Sequence, residues 1–224
     1  MDDPNLDRAV HRRALAGLRR INAWSQTARV LAAAMARIAS ERSLRALKVL
    51  DVACGGGDIA LHVANRLSRA GLEAEVHGCD ISQTAIDHAT ANAAVQGVSG
   101  ARFYVHNALE QVPPDGYDII TSTLFLHHLT DSDAVRLLRN LATATRHALL
   151  VDDLVRNRRG YWLAQLGCRL LSRSPVVHYD GPASVLGAYT LAEARQLASA
   201  AGLEGAVFTK HWPERYLMTY KKAP

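Results

Sequence analysis

The chain has 224 residues, 49% of them hydrophobic and 21% charged, which is enough for one domain with a substantial core and too little for a cofactor domain plus a separate large catalytic domain. No apolar run approaches the roughly 20 residues of a membrane-spanning helix, and Met-Asp-Asp-Pro opens no secretory signal, so a cytoplasmic location is expected. The net charge of +5 hides an uneven distribution. Residues 1–48 carry ten Lys or Arg against four acids, residues 49–150 six against eleven, and residues 151–224 ten against six. Basic flanks suit an anionic membrane, a nucleic acid or an acidic substrate, or are simply solvated helix faces.

In chain order, helical spacing of Leu15, Leu18 and Ile21, then of Leu31, Met35 and Ile38, predicts helices over 6–22 and 26–40. Together they form an N-terminal helical segment, 1–46, placed to cover the mouth of a domain spanning 47–224. An apolar run over 47–52 then ends in Asp51, and Gly55, Gly56 and Gly57 lead into a helix over 58–70. Glycine permits positive φ and bare backbone, and the following helix start points free N–H groups toward a ligand. This strand-turn-helix is therefore expected to hold a nucleotide-like cofactor.

The rhythm continues with strand 74–79, helix 83–96, strands 101–106 and 117–123, helix 131–142 and strand 147–151. Such alternation predicts an α/β, doubly wound, mostly parallel sheet. Ser82, Thr130 or Asp131 and the pair Thr190 with Glu193 are expected helix caps. Residues 152–189 break the pattern and read as a lid insertion after strand 5. Its first half has Trp162, Leu163, Leu166 and Leu170 at helical spacing among five arginines, and its second half is rich in Pro, Gly and aromatic residues and reads as a folded loop. A helix over 191–201 and two strands, 206–209 and 216–220, close the chain as a hairpin, giving seven strands with an antiparallel C-terminal strand.

Gly55, Gly57 and Ala60 also satisfy the relaxed dinucleotide pattern, with Asp80 at a suitable distance downstream. Against a nicotinamide cofactor, Asp51 would face a pyrophosphate, and the terminal hairpin replaces the further parallel strands such folds usually have. A cationic ligand suits Asp51 better. The run LKVLDVACGGGDIA, the acidic end of VHGCD and the terminal hairpin together resemble the class I S-adenosylmethionine-dependent methyltransferases, over about 47–151 and 190–220. Ala53 stands where that family usually has its first glycine.

The resemblance implies S-adenosylmethionine as cofactor and assigns residues to it. Asp51, Ala53, Gly55 and Gly57 would pass its amino-acid portion, and Asp80 would take the ribose hydroxyls with Ile81 against the adenine. Asn107 and Ala108 would meet the adenine amino group, and Ser122 the sulfonium end. His127 and His128, after strand 4 in TSTLFLHHL, fall near the transferred methyl, where one would serve as base or substrate ligand. His128 is the residue put forward as base, with packing as the alternative for either. Asp152 and Asp153 are expected to follow strand 5 as a pocket edge or a helix start, and no second acidic cluster completes a metal site.

The three cysteines, Cys54, Cys79 and Cys168, show no disulfide or zinc spacing, and Cys54 reads as a small residue packed beneath the ligand. The segment STLF after strand 4 lacks the Asn-or-Asp, Pro-Pro, aromatic motif of methyltransferases acting on nucleic acid, so no nucleic-acid partner is expected. An enclosed pocket favours a small, rather apolar acceptor, and a weaker resemblance to bacterial methyltransferases of polyketide and phenolic-lipid biosynthesis points to O-methylation of a phenolic or polyketide product. C-methylation of a quinone-type lipid precursor and a non-catalytic cofactor-binding protein stay open. So do a peripheral membrane contact by the basic, tryptophan-bearing lid helix and a state of monomer or homodimer.

Overall fold

The computed structural model describes residues 25–172 and 174–223. A seven-stranded sheet runs in the order β3-β2-β1-β4-β5-β7-β6. Its strands are β1 Ala46–Val52, β2 Glu73–Asp80, β3 Arg102–Val105, β4 Tyr117–Thr123, β5 Thr145–Leu154, β6 Val207–His211 and β7 Arg215–Lys221. β1 through β5 pair in parallel, and β7 is inserted antiparallel between β5 and β6. The order reverses between β1 and β4, which opens a crevice above their C-terminal ends, the usual ligand position in doubly wound sheets.

Two helical layers cover the sheet. On one face lie α1 Thr27–Glu41 and α2 Asp58–Arg69, whose Leu31, Met35, Ile38, Ile59, Val63 and Leu67 are buried with Leu47, Val49, Ile119 and Leu150. α3, Gln83–Gln96, packs beside α2 and over β2 and β3. On the other face α4 Asp131–Ala144 and α7 Leu191–Ala200 bury Leu137, Leu138, Leu141 and Leu197 against Leu50, Ile120, Leu149 and Val151. Caps fall where the sequence predicts: Ser82 accepts from Ala85 N–H, Thr130 from Asp133 N–H, and Thr190 with Glu193 makes a full capping box.

The second predicted N-terminal helix is α1, and it belongs to a core layer of the sheet. The first, over 6–22, lies outside the described residues, and with it the proposed cover of the mouth. Two other expectations change. β5 runs on to Leu154, so Asp152 and Asp153 sit within the strand, both buried, because β7 pairs with it along its whole length from Ala148 to Leu154. The insertion is a helical hairpin, α5 Arg158–Leu171 and α6 Pro175–Gly187, where a folded loop was expected for its second half. Pro175 occupies the first turn, where a missing N–H costs nothing, and packing against α5 overrides the weak propensity of the rest. At Gly181 an added Cβ would collide with Cys168 Sγ, so the two helices approach too closely there for any other residue.

Candidate active site

The glycine turn between β1 and α2 is shaped by residues in the left-handed region: Ala53 at φ 57°, Gly55 at φ 52° and Gly57 at φ 74°. Ala53 accepts the conformation despite its Cβ. Gly57 caps α2, and a Cβ there would lie 2.9 Å from both Ala89 and Phe103, so space and backbone each demand glycine. At Gly55 a Cβ would meet no atom within 4 Å, so this side of the turn faces open space in which a ligand can lie against backbone. Asn92 of α3 braces the turn by donating to Gly56 O at 2.9 Å. Cys54 is buried beneath it with its thiol pushed up by burial, which matches the packing role read from sequence.

Asp80, at the end of β2, ties the turn to the neighbouring strand. Its Oδ2 accepts from Gly55 N–H at 2.9 Å and its Oδ1 from Ser82 N–H at 2.9 Å. Each oxygen keeps a second lone pair for a further hydrogen bond. Ile81, next in sequence, is 68% exposed, which places it on the open side of the turn and outside the core. Asn107 lies close by through the His106 N–H to Asp80 O bond of 3.0 Å, and its Oδ1 accepts from Leu109 N–H at 3.1 Å. Ala108 is buried beneath, its carbonyl held by Asn140 Nδ2 at 2.9 Å.

Asp51 is the electrostatic centre of the crevice. Its Oδ1 accepts from Thr121 Oγ1 at 2.9 Å, while the buried Oδ2 has no hydrogen-bond partner among the described residues. Burial raises its pKa to about 7; the Thr121 bond opposes this and the charge of Asp80 adds to it. A buried carboxylate with one unpaired oxygen is a receptor for a cation. Ser122, one residue on from Thr121, is buried, with its hydroxyl making no hydrogen bond within the described residues.

Beyond β4 a short 3₁₀ turn, Leu126–His128, carries both histidines. The His127 ring is buried and its Nδ1 lies 2.6 Å from Asp153 Oδ1, while its backbone N–H donates to Asp153 Oδ2 at 3.1 Å. The carboxylate therefore fixes the residue at two points, and an Nδ1–H facing Asp153 leaves Nε2 with its lone pair. His128 is exposed, with its ring 4.1 Å from that of His127. The carboxylate-oriented ring is His127, whereas His128 is the residue put forward as base from the sequence. Gly187 at the end of α6 packs against the His127 carbonyl, bringing the helical hairpin to this turn.

His178, in α6, turns its Nε2 toward Ser172 O at 2.7 Å. Thr121, Asn92 and the pairing of His127 with Asp153 are not legible as site features in the sequence analysis. Thr121 was within reach, since the terminal residues of β1 and β4 are register partners in a parallel sheet with this reversal. Nothing in the spacing marked Asn92. Among the described residues, no group of three or more His, Cys, Asp or Glu side chains is arranged to hold a metal.

A seven-stranded sheet with an inserted antiparallel strand, a glycine turn after an acidic β1 end and an acidic β2 end define the class I, Rossmann-like methyltransferase fold. Comparison with known proteins agrees. Residues 49–148 match the family described as methyltransferase domain. The ubiquinone biosynthesis O-methyltransferase of Aeromonas salmonicida (strain A449) is 29% identical over 161 residues, covering 70% of this chain and 62% of that protein. The chain spans between about half and three quarters of the length of the curated relatives it matches. Among solved structures, magnesium protoporphyrin IX methyltransferase from Synechocystis PCC 6803, with bound SAH, superposes with a TM-score of 0.61 at 18% identity, covering 99% of this chain and 90% of that one. A structure from Nostoc punctiforme PCC 73102 gives a TM-score of 0.59 at 22% identity, covering 96% of this chain and 68% of that one. These two likenesses concern the fold.

Proposed function

We propose that the protein is an S-adenosylmethionine-dependent methyltransferase that O-methylates a small, rather apolar acceptor bearing a phenolic hydroxyl. The observation that carries the O-methylation is the His127–Asp153 pair at the end of β4. The crevice residues fit the cofactor: open space above Gly55, an unpaired carboxylate oxygen on buried Asp51 for its ammonium, and free lone pairs on Asp80 for vicinal hydroxyls. When bound, S-adenosylmethionine supplies a methyl group already made electrophilic by the sulfonium.

The chain's own part is to position the acceptor and take its proton. A phenol of pKa about 10 is mostly protonated at neutral pH, so removal of its proton on attack lowers the barrier. His127 Nε2 accepts that proton from the acceptor hydroxyl, so that the phenol oxygen is presented as the nucleophile to the methyl group the cofactor would supply. Asp153 holds the ring in the required tautomer and balances the imidazolium that results. Orientation of the acceptor about 3 Å from the methyl contributes the rest of the rate.

Support from relatives is consistent: the curated proteins it resembles are named as O-methyltransferases of ubiquinone biosynthesis. A quinone-type lipid precursor, methylated on oxygen or on carbon, is the second reading, favoured by the exposed apolar residues of α5 described below. Incubation with methyl-labelled S-adenosylmethionine and a panel of catechols, phenolic polyketides and prenylated phenols separates the readings. Label on phenol oxygen supports the proposal, and label on ring carbon moves it to C-methylation. Cofactor binding without transfer to any acceptor would leave a silent binding protein.

A further inference from the structure

The helix α5 presents a face that the proposed chemistry does not use. Trp162, Leu166 and Leu170, four residues apart, are 65%, 59% and 74% exposed. Arg158, Arg159 and Arg169 are exposed on the same helix. At 3.6 residues per turn all six side chains fall within an arc of about 120°. The opposite side of the helix, with Cys168 and Gly160, is buried, Cys168 against Gly181 of α6. An apolar stripe of this size interspersed with cations, with its other side already packed, is a surface unpartnered among the described residues.

We infer that this face of α5 seats on an anionic lipid bilayer, lying in the plane of the headgroups. Charge selects the occupant. Residues 156–173 contain five arginines and no acid, so a second copy of the same face would bring arginine against arginine. The N-terminal segment of the chain fits no better, because residues 1–24 carry five arginines against three aspartates. Anionic headgroups complement the arginines, while Trp162 at the interface and Leu166 and Leu170 below it bury their surface in the acyl boundary. At 14 residues α5 is about 21 Å long, and no helix among the described residues is long and apolar enough to cross a membrane, so the mode is surface binding. Because α5 and α6 form one hairpin and α6 ends against the His127 turn, a bilayer at this face lies beside the acceptor entrance.

The test is co-sedimentation of the full chain with vesicles of phosphatidylcholine alone or mixed with phosphatidylglycerol, without cofactor or acceptor, so that it is independent of methyl transfer. Binding to the mixed vesicles, falling steeply as salt is raised, is expected. Each of Arg158→Ala, Arg159→Ala and Arg169→Ala should lower partitioning about five-fold. The triple change Trp162→Ser, Leu166→Ser, Leu170→Ser should abolish it while circular dichroism and the melting temperature stay those of the parent, since all three side chains are exposed. Equal binding to both vesicle types, no binding to either, or binding indifferent to these substitutions overturns the inference. So does a dimer in gel filtration that the serine variant converts to monomer, which would assign the face to a second copy.

Discussion

Replacing Asp51 by asparagine tests the electrostatics of the crevice most directly. The folded protein holds the Asp51 proton up to about pH 7, whereas an unperturbed aspartate releases it near 3.8. Between those values the native state binds one proton more than the unfolded chain, so stability falls as pH rises, by about 1.4 kcal/mol per pH unit. Across the roughly three units the wild type loses about 4 kcal/mol, and above pH 7 the loss is complete. The asparagine side chain cannot ionise and escapes this slope, although one amide N–H is left in place of the unpaired Oδ2, at a pH-independent cost of about 1–3 kcal/mol. Between pH 5 and pH 7 the melting temperature of Asp51→Asn should therefore gain on that of the wild type by roughly 5–10 °C, a change of about 2.7 kcal/mol in a chain of this size. Cofactor binding should show the opposite preference, because an ammonium favours the ionised carboxylate: wild-type affinity for S-adenosylhomocysteine by calorimetry rises toward pH 7 and levels above it. In Asp51→Asn it is lower and flat with pH. Melting curves of the two proteins that run parallel from pH 5 to pH 8 would refute the assignment of a high pKa to Asp51.

His127→Ala should lower kcat at pH 7 by roughly 10²- to 10⁴-fold with little change in cofactor affinity, and recover partly at high pH where the phenol ionises unaided. Asp153→Asn should fall in the same direction, and His128→Ala should stay near wild type; the reverse order in steady-state kinetics would return the role to His128. Asp80→Ala removes acceptors from both the Gly55 N–H and the ribose hydroxyls, so calorimetry should find cofactor binding reduced at least about tenfold. Gly57→Ala combines the left-handed backbone with contacts at 2.9 Å and should destabilise the protein by about 2–4 kcal/mol, read as a lower midpoint in urea.

Much of this architecture was legible because its signals are local. The apolar strand ending in Asp51, the glycine run and the caps at Ser82, Thr130 and Thr190 depend on residues a few positions apart, and each falls where spacing places it. The glycine turn and Asp80 were legible for the same reason. What escaped is non-local. The extension of β5 through Asp152 and Asp153 is set by β7, more than 60 residues later, which supplies the ladder partners. The helix Pro175–Gly187 is made by packing on α5, against its own composition. The choice between His127 and His128 depends on which one meets a strand 26 residues away.

The two carboxylates at the end of β5 show how one strand serves two tasks. Side chains alternate across a sheet, so Asp153 and Asp152 point to opposite faces. Asp153 turns toward the 3₁₀ turn and orients His127. Asp152 turns toward α1, where its Oδ2 lies 2.5 Å from His211 Nε2 and its Oδ1 3.7 Å from Arg215. Arg215, itself buried, donates to Thr27 Oγ1 at the first turn of α1. Burial lowers the Arg215 pKa, and the charges of Asp152 and Asp153 oppose that shift, so the guanidinium depends on the carboxylates beside it. One polar track thus fastens α1 to the C-terminal edge of the sheet from behind, while the neighbouring residue faces the acceptor side. A single-residue slip of β5 against β7 would put Leu154 in the place of Asp153 or Val151 in the place of Asp152, leaving either His127 without its partner or Arg215 without its counter-charge. The antiparallel insertion of β7, which fixes that register by pairing Asp152 with Leu217 and Asp153 with Tyr216, therefore sets the proposed catalytic geometry as much as the fold.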